Sequence, residues 1–123
     1  MANALNWFEI PVTNMDRAKA FYSTVLDAEI PTQDMMGEGT MGMLPSHDGV
    51  GGALVESEKL NYTPSQTGSV IYLNGGEDLS TPLGRVEAAG GKVIVDKYGI
   101  GENGFVAFFL DTEGKKVGFH SMG

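Results

Sequence analysis

The sequence predicts an α+β domain built from two tandem β-α-β-β-β units. The main observation is an internal repeat, in which WFEIPV at residues 7–12 aligns with VIYLNG at residues 70–75, an offset of 63 positions. At an offset of 65, MGMLPSHDGVGGAL at residues 41–54 aligns with VAFFLDTEGKKVGF at residues 106–119. Self-similarity at a nearly fixed spacing indicates a repeated supersecondary unit.

The length and the repeat together predict a single domain over residues 1–123. A chain of this size is too short for two independent hydrophobic cores. We expect the first unit at about 5–56, a connecting loop at 57–67 and the second unit at about 68–121. The loop has turn-forming residues and little apolar periodicity, which favours a plain crossover, although it could also cover a cavity mouth.

The first strand of the first unit has a period of two, which is typical of a half-buried strand. Its apolar face should meet the helices, and its opposite face carries more polar and aromatic residues. In the second unit, Ile71 and Leu73 should pack beneath the helices in the same way. The apolar face of the first strand comprises Phe8, Ile10 and Val12, which alternate with Trp7, Glu9 and Pro11.

Two helices are predicted from capping residues and apolar stripes. Asn14 can cap the first helix, and either Asp78 or Ser80 can start the second, where Pro82 suits the first turn. Glycine tolerates the left-handed conformation that ends many helices, so Gly90 and its neighbour should end the second. The predicted buried stripes are Ala18, Phe21, Tyr22 and Val25 in the first helix, and Leu79, Leu83, Val86 and Ala89 in the second.

Matching polar turns join the last two strands of each unit. SHDG at residues 46–49 and DTEG at residues 111–114 are both polar and end in glycine, as reverse turns require. We expect Asp111 and Glu113 to shape the second turn.

Composition excludes several classes of function. The chain has 8 basic and 16 acidic residues, and a net charge of −8 disfavours binding to a phosphate backbone. With no cysteine, it has neither a disulfide framework nor a thiolate nucleophile. No apolar run approaches the length of a membrane span and no signal-peptide pattern is present, so we expect a cytoplasmic protein without membrane or nucleic-acid partners.

The chain resembles the vicinal oxygen chelate superfamily, which includes glyoxalase I, extradiol dioxygenases and bleomycin resistance proteins. The resemblance covers about residues 6–121. It rests on WFEIPVTNMDRAKAFYSTVLDAEI in the first unit and on VIYLN, AAGGKV and FFLDTEG in the second. It implies a curved eight-stranded mixed sheet with helices outside and a U-shaped cavity inside.

The resemblance also bears on metal binding. Enzymes of this superfamily bind a divalent metal through side chains on the first and last strands of each unit. The matching positions here are Trp7, Ala53, Val70 and Gly118, with Ala53 uncertain by one residue, and none has a donor side chain. Divalent metals need several converging oxygen or imidazole donors. We therefore expect no metal and no cofactor.

Strand alternation then predicts which residues line the cavity instead. Residues two positions from the matched ones should face the same way. Glu9 and His120 are the candidates for acid–base catalysis. The predicted ligand-binding residues are Trp7, Glu9, Val70, Tyr72, Gly118 and His120.

Three hypotheses for function follow. The leading one is metal-independent binding of a small, partly apolar organic ligand in the sheet cavity. The alternative is an enzyme of the same superfamily, of lyase, isomerase or dioxygenase type, either metal-free with Glu9 or His120 as the acid or base, or metal-dependent through ligands not yet located. A third is a structural or partner-binding dimer. The open sheet edges favour a homodimer in each case.

Overall fold

A computed structural model describes residues 4–123, and the two predicted units follow one another along the chain. The first unit contains four strands and one α-helix within the described residues. Their bounds are β1 Trp7–Pro11, α1 Met15–Leu26, β2 Thr32–Asp34, β3 Thr40–Met43 and β4 Gly51–Glu56.

The second unit repeats this order after an irregular segment at residues 57–71. Its bounds are β5 Tyr72–Asn74, α2 Ser80–Leu83, β6 Lys92–Gly99, a 3₁₀ turn at Gly101–Asn103, β7 Phe105–Leu110 and β8 Lys116–Ser121. Within residues 4–123, neither α-helix has the length and apolar character needed to cross a bilayer.

Each unit forms its own four-stranded mixed sheet. The strand orders are β1-β4-β3-β2 and β5-β8-β7-β6. In each sheet the first strand of the unit runs parallel to the last, and the other pairs are antiparallel. The predicted α+β class and the tandem units are confirmed. The eight strands of the described chain lie in two open sheets, because β1 and β5 each pair only within their own unit.

Helix α1 begins at the residue that its sequence predicts. The Asn14 side chain accepts a hydrogen bond from the Arg17 backbone N–H at 3.0 Å, which satisfies one of the free amides at the helix start. The helix ends at Asp27, whose φ of 51° is left-handed. All four residues of the predicted stripe are buried: Ala18, Phe21, Tyr22 and Val25.

Helix α2 is shorter than predicted. The regular α-helix ends at Leu83, and residues 84–90 continue as turns. Gly84 immediately follows the helix, and glycine carries a larger entropic cost of helix formation than other residues. The expected end at Gly90 is nevertheless present, since its φ is 104°, and the stripe residues Leu79 and Val86 are fully buried.

Side chains from both units share one hydrophobic core. The ring of Phe21 on α1 lies 5.9 Å from that of Phe109 on β7, and the Tyr22 hydroxyl donates a 2.7 Å hydrogen bond to Asp111 Oδ2. Because alternate strand residues point to opposite faces, each sheet also has a face directed away from this core, called here its outer face. The sheet residues in the core include Ile10 and Leu54 from the first sheet and Leu73, Ala107, Phe109, Val117 and Phe119 from the second.

The turn between β7 and β8 docks on the start of α1. Glu113 Oε1 accepts hydrogen bonds from the backbone N–H groups of Thr13 and Asn14 at 2.9 and 2.8 Å, and Glu113 Oε2 accepts one from Arg17 Nε at 2.6 Å. Asp111 Oδ1 accepts from the backbone N–H groups of Glu113 and Lys115, which fixes the turn itself. Asp111 thus shapes the turn, whereas the Glu113 carboxylate joins the two units.

Candidate functional site

The two faces of β1 separate the core from the candidate site. Ile10 is fully buried in the shared core, and Phe8 packs against it. Trp7 and Glu9 lie on the outer face of the first sheet, and Trp7 remains 38% exposed. The strand therefore presents an indole and a carboxylate away from the core.

Trp7, Glu9 and Tyr62 form a hydrogen-bonded group on this face. The Trp7 indole Nε1–H donates to Glu9 Oε2 at 3.1 Å, and the Tyr62 hydroxyl donates to Glu9 Oε1. The hydrogen bond to the Glu9 carboxylate, with lesser help from burial, raises the pKa of Tyr62. Sequence reasoning missed Tyr62, because it lies in the irregular connecting segment. The length of that segment was its only signal of function.

On the second sheet, Tyr72 and Gly118 are brought together. They are register partners on the parallel strands β5 and β8, and Tyr72 is 49% exposed. The ring of Tyr72 also lies 5.6 Å from that of Phe108, which pairs with Gly118 from the other side. Lys116 Nζ lies 4.9 Å from the centre of the Phe108 ring, within cation–π range. This outer face is therefore aromatic with a positive charge beside it.

His120 lies near the end of the interior strand β8, and Val70 lies outside the strands. His120 is two residues beyond Gly118 on β8, and its Nε2 is 2.7 Å from the Asn103 carbonyl oxygen in the 3₁₀ turn. Val70 precedes β5 and is exposed. The six predicted residues are thus distributed over two faces, with Trp7 and Glu9 on the first sheet and Val70, Tyr72, Gly118 and His120 on or beside the second.

An apolar cavity of about 470 Å³ lies between the two units. Phe8 and Ile71, which we expected to lie wholly beneath the helices, are only partly buried and line this cavity. They remain accessible because they lie on or beside β1 and β5, which are edge strands of separate sheets. The other lining residues are Leu5, Leu26, Leu44, Pro45, Val50, Val70, Tyr72, Leu73 and Asn74.

Enzymes of the superfamily that this sequence resembles bind a divalent metal. The positions of this chain that match their metal ligands have no suitable donor side chains. Ala53 is fully buried on β4, paired with Glu9 on one side and Met43 on the other, and its chain neighbours Gly52 and Leu54 also lack donor side chains. Across residues 4–123, no three His, Asp or Glu side chains are grouped in a way that could hold a metal ion. The donor set needed for a divalent ion is thus missing from these positions.

Comparison with known proteins identifies the family. The sequence profile of the Glyoxalase/Bleomycin resistance protein/Dioxygenase superfamily matches residues 4–119. The chain belongs to this superfamily. A search of curated proteins finds no significant match.

Solved structures with the same fold include binding proteins and enzymes. TnmS3, an antibiotic binding protein from Streptomyces sp. CB03234, is 19% identical with a TM-score of 0.72, over 100% of this chain and 99% of its own. Glyoxalase I from Zea mays is 22% identical with a TM-score of 0.71, over 94% of this chain and 45% of its own. A hypothetical protein from S. aureus is 16% identical with a TM-score of 0.67, over 98% of this chain and 94% of its own. At these identities the likeness shows the fold.

Proposed function

We propose that this protein binds a small, partly apolar organic molecule on the outer faces of its sheets, without a metal ion. The observation that carries the proposal is an exposed aromatic side chain on each outer face, lying against a glycine of the neighbouring strand. Trp7 lies beside Gly51 in the first sheet, and Tyr72 lies beside Gly118 in the second.

The glycines let these rings lie close to the backbone. A Cβ atom on Gly51 would come within 3.2 Å of Trp7 Cζ3, and one on Gly118 within 2.6 Å of Tyr72 Cδ1. Each ring is therefore held against the sheet with much of its surface accessible, which suits stacking on a planar or apolar ligand. Sites for small molecules commonly combine such apolar walls with a few polar groups.

Two methionines support an adaptable apolar wall on the first sheet. Met41 and Met43 pair with Val55 and Ala53, so they lie on the same outer face as Trp7 and Glu9. Both side chains are partly buried. The flexible thioether fits ligands of varied shape, which favours a binding surface over a rigid core position.

The proposal includes a homodimer, because each outer face is open in one chain. A second copy that placed its second sheet over the first sheet would enclose a space between Trp7 and Tyr72. The apolar area of both rings would then leave water, which stabilises association.

The experiment combines native mass spectrometry with ligand-observed NMR on a panel of small aromatic compounds. We expect a metal-free dimer, and we expect panel binding to fall at least about fivefold in Trp7→Leu and Tyr72→Leu, since each removes one stacking surface. Met36→Ala, at an exposed apolar side chain in the turn between β2 and β3, is the control, because it removes apolar area away from both rings. Binding that survives both site variants would disprove the proposal, as would one tightly held transition metal per chain.

A further inference from the structure

Within the described chain, the carboxylate of Glu9 accepts hydrogen bonds only from neutral donors on the outer face of the first sheet. It receives one hydrogen bond from the Trp7 indole and one from the Tyr62 hydroxyl. Among residues 4–123, the lysine and arginine side chains that form salt bridges do so with Glu38, Asp78 and Glu113. The negative charge of Glu9 is thus partly buried and has no cationic partner within this part of the chain.

The hydrogen bonds to Glu9 leave capacity for further donors. A carboxylate has about four lone-pair positions, and Trp7 and Tyr62 occupy one on each oxygen. Because the donors are neutral, they leave the negative charge of the carboxylate uncancelled, so the group remains an acceptor for a cation.

Tyr62 is held in position by its own segment of chain. Its backbone N–H donates to the Ser57 carbonyl at 3.0 Å, and the Ser57 hydroxyl both accepts from the Leu60 N–H at 3.1 Å and donates to the Glu38 carbonyl. The phenol is therefore fixed by a hydrogen-bonded turn that is tied to the β2–β3 hairpin. A pre-positioned donor of this kind can orient a carboxylate toward a ligand.

Further negative charge lies near Tyr62. The tyrosine also borders a cavity of about 350 Å³ whose wall includes Glu56 and Glu58. Glu56 Oε1 accepts from the Met15 backbone N–H at 2.6 Å, which places that carboxylate at the start of α1. Glu56 is two residues from the core residue Leu54 on β4, so its carboxylate lies on the α1 side of the sheet and not beside Glu9. The net charge of −8 favours approach of a cation to the protein as a whole.

We infer that Trp7, Glu9 and Tyr62 form a recognition site for a protonated amine at one end of the organic ligand. The inference rests on the proposed function and names the chemical class of its ligand. Glu9 accepts the ammonium hydrogen bonds, Tyr62 orients the carboxylate, and Trp7 packs against the apolar part of the molecule.

The test compares 2-phenylethylamine, which is protonated at neutral pH, with the neutral alcohol 2-phenylethanol of the same shape. Binding to the purified protein is followed by the fluorescence of Trp7, the one tryptophan in the chain. We expect the amine to bind about tenfold more tightly than the alcohol, the scale of a charge-assisted hydrogen bond. Glu9→Gln should remove this preference, and Tyr62→Phe should reduce it by about threefold.

Glu29→Gln is the matched control, because it changes the net charge equally at an exposed position outside the site. If it weakens amine binding as much as Glu9→Gln does, the effect is one of net charge and the inference is wrong. Equal binding of amine and alcohol to the unmodified protein would overturn the inference and leave the proposed binding function standing. Binding of neither compound at millimolar concentration would overturn both.

A second copy of the chain offers a competing partner for Glu9, namely Lys116 on the outer face of the second sheet. Sedimentation velocity distinguishes this case. If Glu9→Gln and Lys116→Met each weaken the dimer at least about tenfold while the amine preference persists, Glu9 serves the interface and the inference is wrong.

Discussion

Ile10 and Glu9 are chain neighbours whose side chains lie in opposite environments. Ile10 is fully buried among residues of both units, and Glu9 lies on the outer face. We predict that Ile10→Ala lowers the free energy of unfolding by about 2–5 kcal/mol, because it leaves a cavity in the core. Glu9→Gln should change it by less than about 1 kcal/mol. Urea denaturation of both variants measures the two effects.

The pair provides its own control, since both substitutions are in the same strand. Equal destabilisation by the two variants would mean that the outer face is as important to folding as the core. A loss below about 1 kcal/mol in Ile10→Ala would contradict the assignment of this residue to a tightly packed position.

At the residue scale, sequence alone could predict the faces of β1 and could not predict Tyr62. Alternation of apolar with polar or aromatic residues sets the phase of a strand, so the burial of Ile10 follows from the pattern. Tyr62 contacts Glu9 across 53 positions, from a segment without periodicity. A contact of that kind depends on tertiary packing, which no local pattern encodes.

At the scale of elements, the turn carrying Glu113 locks onto the N-terminus of α1. Burial alone would raise the pKa of Glu113, but hydrogen bonds from Arg17, Thr13 and Asn14 hold it at about 2, below the usual 4.5. The stabilisation from this lowered pKa is present above pH 4.5 and is lost as the pH falls toward 2. Burial instead raises the pKa of Asp111. Protonation of Asp111 on acidification therefore stabilises the folded state, whereas protonation of Glu113 destabilises it.

We predict that Glu113→Gln loses about 1–3 kcal/mol of stability at pH 7 and shows a weaker loss of stability between pH 4.5 and 2 than the unmodified protein. Urea denaturation across this pH range measures both effects. Glu102→Gln, an exposed glutamate, is the control. If Glu113→Gln loses as much stability between pH 4.5 and 2 as the unmodified protein does, this carboxylate does not control acid stability.

Elements differ in how well the sequence predicts them. The start of α1 follows from Asn14, because a capping side chain acts within a few residues. The short length of α2 cannot be predicted from the sequence. Leu79, Val86 and Gly90 have the spacing of a helix, and that spacing is the same whether residues 84–90 form a regular helix or a series of turns. The Glu113 contact joins residues about 100 positions apart and has no sequence signal.

At the scale of the whole molecule, the exposed aromatic side chains of the two outer faces lead us to expect a homodimer. Trp7 and Tyr72 keep large aromatic areas exposed in one chain, which is costly in water. Light scattering at tens of micromolar should give twice the 13.1 kDa mass of the chain. Tyr72→Glu should shift the protein toward the monomer, whereas Thr24→Glu on an exposed part of α1 should not. A monomer mass for the unmodified protein would reject the homodimer.

The repeat could predict two units and their connectivity, and it could not predict how they pack. Strand periodicity is a local pattern, so residues 7–12 and 70–75 can be identified as strand segments from the sequence alone. The packing of Phe21 of one unit against Phe109 of the other depends on the shapes of both.

Strand β6 has a consequence for the long-term solubility of the protein. It is an eight-residue edge strand that exposes Ile94, Val95 and Tyr98, features that can recruit a strand from another molecule and begin fibrous aggregation. Two register shifts against β7 break its regularity, and Lys92, Asp96 and Lys97 place charges along it. A strand from another molecule would have to follow this uneven edge and bury those charges. The irregularities of β6 therefore disfavour edge-to-edge addition of strands and aggregation.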